Sequence, residues 1–222
     1  MNKIKLCCIV LLAAATNGAF ALDLNTVFDN QKKAAFPDTC EMKMRTTVAL
    51  PRVNPQVVNT TVITAGESKS ITTVKSSMTQ MKIVQNGQLM KVTDLKTGKA
   101  LPSQTMPRQN PADFSRQMGT PADYNAAVKV DSLWKISPKD LAKPTLYYSS
   151  KQRRIVKMTA VVNGAVAESE FEYCDNSCDL PGTLKKAVIT TQLPSGDESI
   201  VTMDIFFAKE RRRLPAKMFE LE

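Results

Sequence analysis

The sequence predicts an α+β fold: one long, strongly curved antiparallel sheet with a helix at its N-terminal end and a short helical insertion near its middle. Three observations carry this. Segments of period-two alternation rich in Val, Thr, Ile and Met recur from Glu41 to Phe207, punctuated by turn residues drawn from twelve Pro and eight Gly. After residue 21 two Asn-Gly dipeptides, Asn86-Gly87 and Asn163-Gly164, each sit between such segments, which is the strongest short-range hairpin signal. Helical spacing or helix-start chemistry is confined to a stretch after residue 21 and to Met106–Ala127.

Residues 1–21 read as a secretory signal. Lys3 and Lys5 form the basic n-region, Leu6 to Ala15 is apolar but too short to span a bilayer, and Ala19-Phe20-Ala21 is an A-x-A site with cleavage expected after Ala21. Cys7 and Cys8 lie at the start of the apolar stretch, where a lipidation cysteine would follow it. The mature chain, 22–222, shows no internal repeat or low-complexity linker and reads as a single domain. Its first helix is signalled by Leu24, Val27 and Phe28 at i, i+3 and i+4, with Asp23 or Asn25 as cap and Phe36-Pro37 as stop.

Strands are expected over Thr46–Leu50, Val57–Thr64 and Ile71–Val74. Met78–Leu95 folds on Asn86-Gly87; a two-residue turn there pairs Ile83 with Met90 and Met81 with Val92, placing all four on one face, with Lys82, Val84, Leu89 and Lys91 on the other. Lys96-Thr97-Gly98-Lys99 turns the chain back. In the insertion, Asn110-Pro111 and Thr120-Pro121 each place a cap before a first-turn Pro, and Asp123 completes a capping box. Two short helices are expected, carrying Phe114 with Met118 and Tyr124 with Ala127. Val128, Val130, Trp134 and Ile136 then alternate as one strand.

Around Asn163-Gly164, Val162 meets Ala165, Ala160 meets Ala167, Met158 meets Ser169 and Val156 meets Phe171 on an apolar face; Lys157 with Glu170 and Thr159 with Glu168 suit water. A last hairpin joins Ala187–Leu193 to Ser199–Phe207 through Pro194-Ser195-Gly196-Asp197, with Val201, Met203, Ile205 and Phe207 inward. About a dozen consecutive antiparallel strands must curl, so the inner surface is apolar and the helices are the material to cover it.

The chemistry of the composition is mostly exclusion. With no His, a Ser-His-Asp or Cys-His hydrolase and a His-ligated metal site are ruled out. There is no G-x-S-x-G elbow and no phosphate-binding G-x-x-x-x-G-K, and Glu168, Glu170 and Glu172 alternate on a solvent face. No enzyme activity, cofactor or metal is expected. The charge of +9 falls to +7 with the signal segment, which holds two lysines and no acid. The basic runs at Lys151, Arg153 and Arg154 and at Lys209–Arg213 read as a solvated strand edge or as a contact for anionic headgroups. No zinc knuckle or RNA-binding aromatic signature accompanies them, so nucleic acid is not an expected partner. Three cysteines remain after cleavage; Cys174 and Cys178 are spaced to close a small loop by a disulfide, with Cys40 to either of them as the alternative.

The combination resembles the periplasmic outer-membrane lipoprotein carrier superfamily. Met81-Lys82-Ile83 through Asn86-Gly87 to Met90–Lys99 looks like that family's hairpin and following tight turn, and Ile155–Met158 through Asn163-Gly164 to Phe171-Glu172-Tyr173 and Leu180-Pro181 looks like its later paired strands. The resemblance implies an incomplete β-barrel with helices as a lid over an apolar cavity, a periplasmic location, a lipid or acylated lipoprotein as cargo, and membrane-bound donor and acceptor proteins serving a monomer. Aromatic residues are only 6% of the chain, below the well-studied carriers, and neither Arg45 nor Arg52 aligns with the arginine those carriers hold on an early strand.

For acyl chains, affinity comes from apolar area removed from water, about 25 cal/mol per Å², on a surface that repacks around a flexible ligand, for which Met is well suited. The expected cavity lining is Met81, Ile83, Met90, Val92, Val156, Met158, Ala160, Ala167, Phe171, Met203 and Ile205. Phe28, Phe114, Met118 and Trp134 are expected at the lid or rim, although a tryptophan such as Trp134 is more often simply a core anchor. A second class stays open at this level: a non-catalytic envelope structural or interaction module whose inward residues simply fill a closed core.

Overall fold

The computed structural model describes residues 22–66, 68–105, 118–162 and 164–221. The signal segment with Cys7 and Cys8, the Asn110-Pro111 helix with Phe114, and Asn163 lie outside these residues.

Helix α1 (Leu24–Lys32) begins where the carboxylate of Asp23 accepts from the amides of Asn25 at 3.0 Å and Thr26 at 3.2 Å. The Thr26 hydroxyl also donates to it at 2.7 Å, and together these bonds hold the Asp23 carboxyl below its ordinary range. Lys32 in the last turn complements the helix dipole. Val27 and Phe28 are buried, as their spacing requires.

Thirteen strands follow among the described residues: β1 (Thr39–Ala49), β2 (Gln56–Ala65), β3 (Lys69–Lys75), β4 (Gln80–Asn86), β5 (Leu89–Asp94), β6 (Ala100–Thr105), β7 (Val128–Val130), β8 (Leu133–Ile136), β9 (Thr145–Ser149), β10 (Arg154–Val162), β11 (Ala165–Tyr173), β12 (Leu184–Gln192) and β13 (Glu198–Glu210). They form one antiparallel sheet in the order β6-β5-β4-β3-β2-β1-β13-β12-β11-β10-β9-β8-β7. Every strand pairs with its neighbour in sequence except β6 and β7, and β1 pairs with β13 as well as β2, which joins two meanders, β1–β6 and β7–β13. The sheet is curved and open, with β6 and β7 as its edges, which is the incomplete barrel expected.

Local chemistry explains each departure from the sequence reading. The hairpin at Asn86-Gly87 turns on Gly87 and Gln88 instead: Asn86 pairs with Leu89, Ile83 with Val92 and Met81 with Asp94. Gly87 takes the left-handed first turn position at φ 66°, which a side chain would resist, and Asn86 stays in the ladder opposite Lys69. A slip of two residues preserves side-chain parity, so Met81, Ile83, Met90 and Val92 keep one common face.

Val128–Ile136 is two strands, because Asp131 adopts a left-handed φ of 52° and reverses the chain; Val128 and Val130 thus lie opposite Lys135 and Leu133, away from Trp134 and Ile136. The Thr120-Pro121 helix is a single 3-10 turn, Pro121–Asp123, in which Asp123 accepts from the Thr120 amide at 2.7 Å. Its continuation is prevented when Tyr124 leaves to bridge Pro138.

Two bulges also redirect side chains. In β13, Lys43 pairs with Phe207 and Met44 with Ile205, leaving Phe206 unpaired, so Phe207 turns outward beneath the ammonium of Lys43, 4.9 Å from its ring centre, and not inward as alternation implies. In β10, Ile155 pairs with Tyr148 and Lys157 with Tyr147, so Val156 is the extra residue and Ile155 takes the inward place assigned to it. Strand β1 starts at Thr39, well before the expected Thr46, since Thr39 to Arg45 find partners on β2.

The main core lies between α1 and the inner face of β8–β13: Val27 and Phe28 of the helix meet Ile136, Leu146, Tyr148, Ile155, Met158, Phe171 and Ile205, with Met118 and Tyr124 closing one side. A second cluster sits on the opposite, outer face of β2–β4. There Phe219, in a 3-10 turn over Ala216–Phe219, covers Ile71 and Val84, and Asn86 donates to its carbonyl at 3.4 Å. Val84, assigned to the water side, is therefore buried.

Candidate functional site

The expected lining residues separate into two groups. Met158, Phe171 and Ile205 are buried beneath α1, and Met203 packs partly against the same cluster. Ala160 and Ala167 face each other on β10 and β11 and are half-buried. Val156 sits on the bulge and is not part of the core cluster. The second group, Met81, Ile83, Met90 and Val92 on β4 and β5, lies on the other wing of the same inner face and is half-buried.

The inner face of β1–β5 is nearly without charge. Its residues in register are Met42, Met44, Val58, Thr60, Val62, Thr72, Val74, Met81, Ile83, Met90 and Val92 among others, and Asp94 is its one ionisable carboxylate or ammonium. Asp94 is spoken for: it accepts from the amides of Lys96 at 2.7 Å and Thr97 at 3.2 Å, which hold its carboxyl below the ordinary range and close the β5–β6 turn. Thr46, Thr60, Thr64, Ser70, Thr72 and Gln85 lie among the apolar residues, so the face is mixed across β1–β3. It is most apolar at Met81, Ile83, Met90 and Val92, a patch beside the helix-covered core that suits an acyl chain.

Of the expected lid residues, Phe28 and Met118 are core members. Phe28 lies 5.5 Å from the Tyr124 ring, and Tyr124 donates to the Met118 carbonyl at 2.7 Å. Trp134 packs partly on the core and donates from its indole to the Ser150 hydroxyl at 3.0 Å, so it combines anchor and rim.

Sequence reading missed the polar device that seats α1. Gln31 accepts from the amide of Ile155 at 3.1 Å and donates to the Tyr173 hydroxyl at 3.1 Å, while Tyr173 donates to the Ile155 carbonyl at 2.6 Å. The backbone groups at the β10 bulge are thus satisfied by side chains. Asn30 donates to the Tyr148 hydroxyl at 3.0 Å, and Arg154 donates to the Asn30 carbonyl at 3.0 Å. The only available signal was two amides on the apolar side of a helix, which are costly to bury unless paired.

Cys174 and Cys178 are thiols in contact at the end of β11; burial, reinforced by Cys178, pushes the Cys174 thiol up to about 11. Cys40 is a separate buried thiol, bonded to the Thr64 hydroxyl at 3.3 Å. Away from the inner face, a cleft of about 690 Å³ opens between the β1–β2 and β3–β4 turns, lined by Val53, Pro55, Val57, Lys75 and Met78. Among the described residues no helix is long and apolar enough to cross a membrane, and no cluster of acidic or thiol side chains has the makings of a metal site.

No family model and no curated protein matches the chain. Solved structures do. A LolA superfamily protein from Nitrosomonas europaea matches with a TM-score of 0.61 at 17% identity, over 90% of this chain and 98% of its own. A putative outer membrane lipoprotein-sorting protein domain from Vibrio parahaemolyticus matches with a TM-score of 0.54 at 9% identity, over 89% and 95%. A DUF1329 family protein from Desulfovibrio piger gives 0.50 at 11% identity, over 89% and 97%. At these identities the likeness is one of fold, and the chain has the fold of the LolA superfamily and outer membrane lipoprotein-sorting structures over nearly its whole length.

Proposed function

We propose that this protein is a non-catalytic periplasmic carrier, exported by cleavage after Ala21, which binds the acyl chains of lipids or lipoproteins on its inner face and ferries them toward the outer membrane. The observation that carries the reading is the apolar patch on β4 and β5, where Met81, Ile83, Met90 and Val92 stand half-buried beyond the core that α1 fills, with Asp94 at its end tied into the β5–β6 turn. The buried wing under α1 is a packed core; the β1–β5 wing is where an acyl chain gains apolar contact without displacing the helix. The fold shared with lipoprotein-sorting structures supports the same reading. A monomer suffices, with membrane-bound donor and acceptor proteins at either end of the route.

Native mass spectrometry of protein purified from its own periplasm tests it. Masses of protein plus phospholipid, fatty acid or acylated peptide are expected, together with uptake of a fluorescent fatty acid by the delipidated protein. Protein without adducts that also takes up no fatty acid would refute the carrier reading in favour of a structural or interaction module.

A further inference from the structure

We infer that the outer face of β1–β5, on the part left open beside the C-terminal segment whose Phe219 covers Ile71 and Val84, is an electrostatic docking surface for an anionic phospholipid bilayer. In register, the outer positions of these five strands hold Lys43, Arg45, Lys69, Lys75, Lys82 and Lys91 against a single acid, Glu41. Glu41 is already engaged, lying 3.7 Å from Lys43 and accepting from Arg211 at 3.0 Å. Arg45 has Asp204 opposite it on β13. Lys69, Lys75, Lys82 and Lys91 have no carboxylate partner among the described residues, and on the inner face of the same strands there is no cation at all.

The other half of the outer face is arranged differently. Strands β10–β12 interleave both signs, with Lys157 paired to Glu168 at 2.6 Å and Lys186 to Glu172 at 3.8 Å. Mixed charge is sufficient to keep a strand surface in water, so solubility alone leaves the one-signed half unexplained. Its geometry suits a plane of phosphates: neighbouring strands are about 4.8 Å apart, so the row from Lys43 to Lys82 spans roughly 14 Å. Thr61 and Thr73 stand between those two lysines in the same row, adding hydroxyl donors. Exposed Arg212 and Arg213, where the chain leaves β13 to cross this face, extend the cationic field. Several weak ammonium–headgroup attractions add to a reversible, salt-sensitive association, as suits a protein that must leave the membrane again.

The test is co-sedimentation of the mature protein with vesicles of phosphatidylcholine alone or mixed with phosphatidylglycerol. Binding is expected only to the phosphatidylglycerol vesicles and is expected to fall steeply with added salt. The Lys75→Gln/Lys82→Gln/Lys91→Gln variant is expected to lose roughly 100-fold in vesicle affinity while taking up fluorescent fatty acid as before, which separates this surface from the acyl site. Equal binding to both vesicle types, no binding to either, or undiminished binding by the folded variant overturns the inference. If the triple variant fails to fold, the salt dependence of the unaltered protein decides it, and salt-insensitive binding counts against the surface. Absence of vesicle binding beside salt-sensitive capture of an acidic protein would assign the face to a protein partner instead.

Discussion

The guanidinium of Arg154 donates to the backbone carbonyl of Asn30 at 3.0 Å, tying the last turn of α1 to the start of β10. The same side chain donates to the Gly182 carbonyl at 3.4 Å, so one residue joins helix, strand and the β11–β12 loop. Arg154→Met keeps the aliphatic stem but removes both of these hydrogen bonds, and a loss of about 1–3 kcal/mol is expected. Urea unfolding checks the magnitude. Hydrogen exchange checks the place, since amides of α1 should lose protection before those of β1–β5; unchanged protection in α1 would deny Arg154 this role.

Alkali should weaken the same seat. Burial pushes the Tyr173 phenol up to about 12 against the opposing pull of Gln31 and Arg154, and burial with the nearby Asp123 carboxylate pushes Tyr124 up to about 12. In the unfolded chain a tyrosine titrates near about 10. The folded state therefore retains protons that the unfolded state releases, so this contribution is complete below about pH 10 and is lost as the pH rises toward about 12. Urea midpoints should fall across that window, and Tyr173→Phe should make the fall shallower. An identical pH slope in the variant would contradict the assignment.

The C-terminal segment is expected to act as a strap. Phe219 is only 1% exposed and covers Ile71 and Val84 on the outer face. Phe219→Ala should cost about 3 kcal/mol or more, read as a shift in thermal or urea midpoint. A change under about 0.5 kcal/mol would mean that the tail does not stay on the sheet.

These three devices differ in how far they were legible in the sequence. The helix, the meander order and the inner parity of Met81, Ile83, Met90 and Val92 followed from local periodicity, because a register slip of two leaves every side chain on its own face. Positions set by a bulge were not legible: Val156 and Phe207 sit in unbroken alternating text, and only pairing with β9 and β1 reveals the inserted residue. Nor were contacts between distant segments, such as Gln31 with Ile155 or Phe219 with Val84, since no local pattern encodes what a buried amide or a short apolar tail will meet. For the candidate site, the common face of Met81, Ile83, Met90 and Val92 was legible, but the packing of Met158, Phe171 and Ile205 under α1 depends on where the helix docks.

Cys174 and Cys178 are expected to form a disulfide in protein isolated from an oxidising periplasm, closing the small loop between them. A Cys174 thiol held up near about 11 has little thiolate at neutral pH, which favours a structural bridge over a reactive site. Under denaturing, non-reducing conditions an alkylating reagent should modify Cys40 alone, and after reduction all three. Modification of all three without reduction would show that the pair stays a dithiol.

A carboxylate placed on the acyl strip should be incompatible with ligand. Ile83→Glu is expected to weaken fatty-acid binding by about tenfold or more, because a charge would be buried against an alkyl chain, while costing about 1 kcal/mol or less at this half-buried position. Val161→Glu, on the exposed outer face of β10, should leave binding unchanged. Fluorescent fatty-acid titration of both variants makes the comparison, and equal affinities would remove β4 from the site.

The most direct test of the acyl strip is to bind a photoreactive fatty acid to the mature protein, activate it, and map the adducts by peptide mass spectrometry. Adducts concentrated in peptides that carry Met81 to Val92 are the expected result. Labelling confined to peptides of β10–β13 beneath α1, or spread over the surface without preference, would contradict the account.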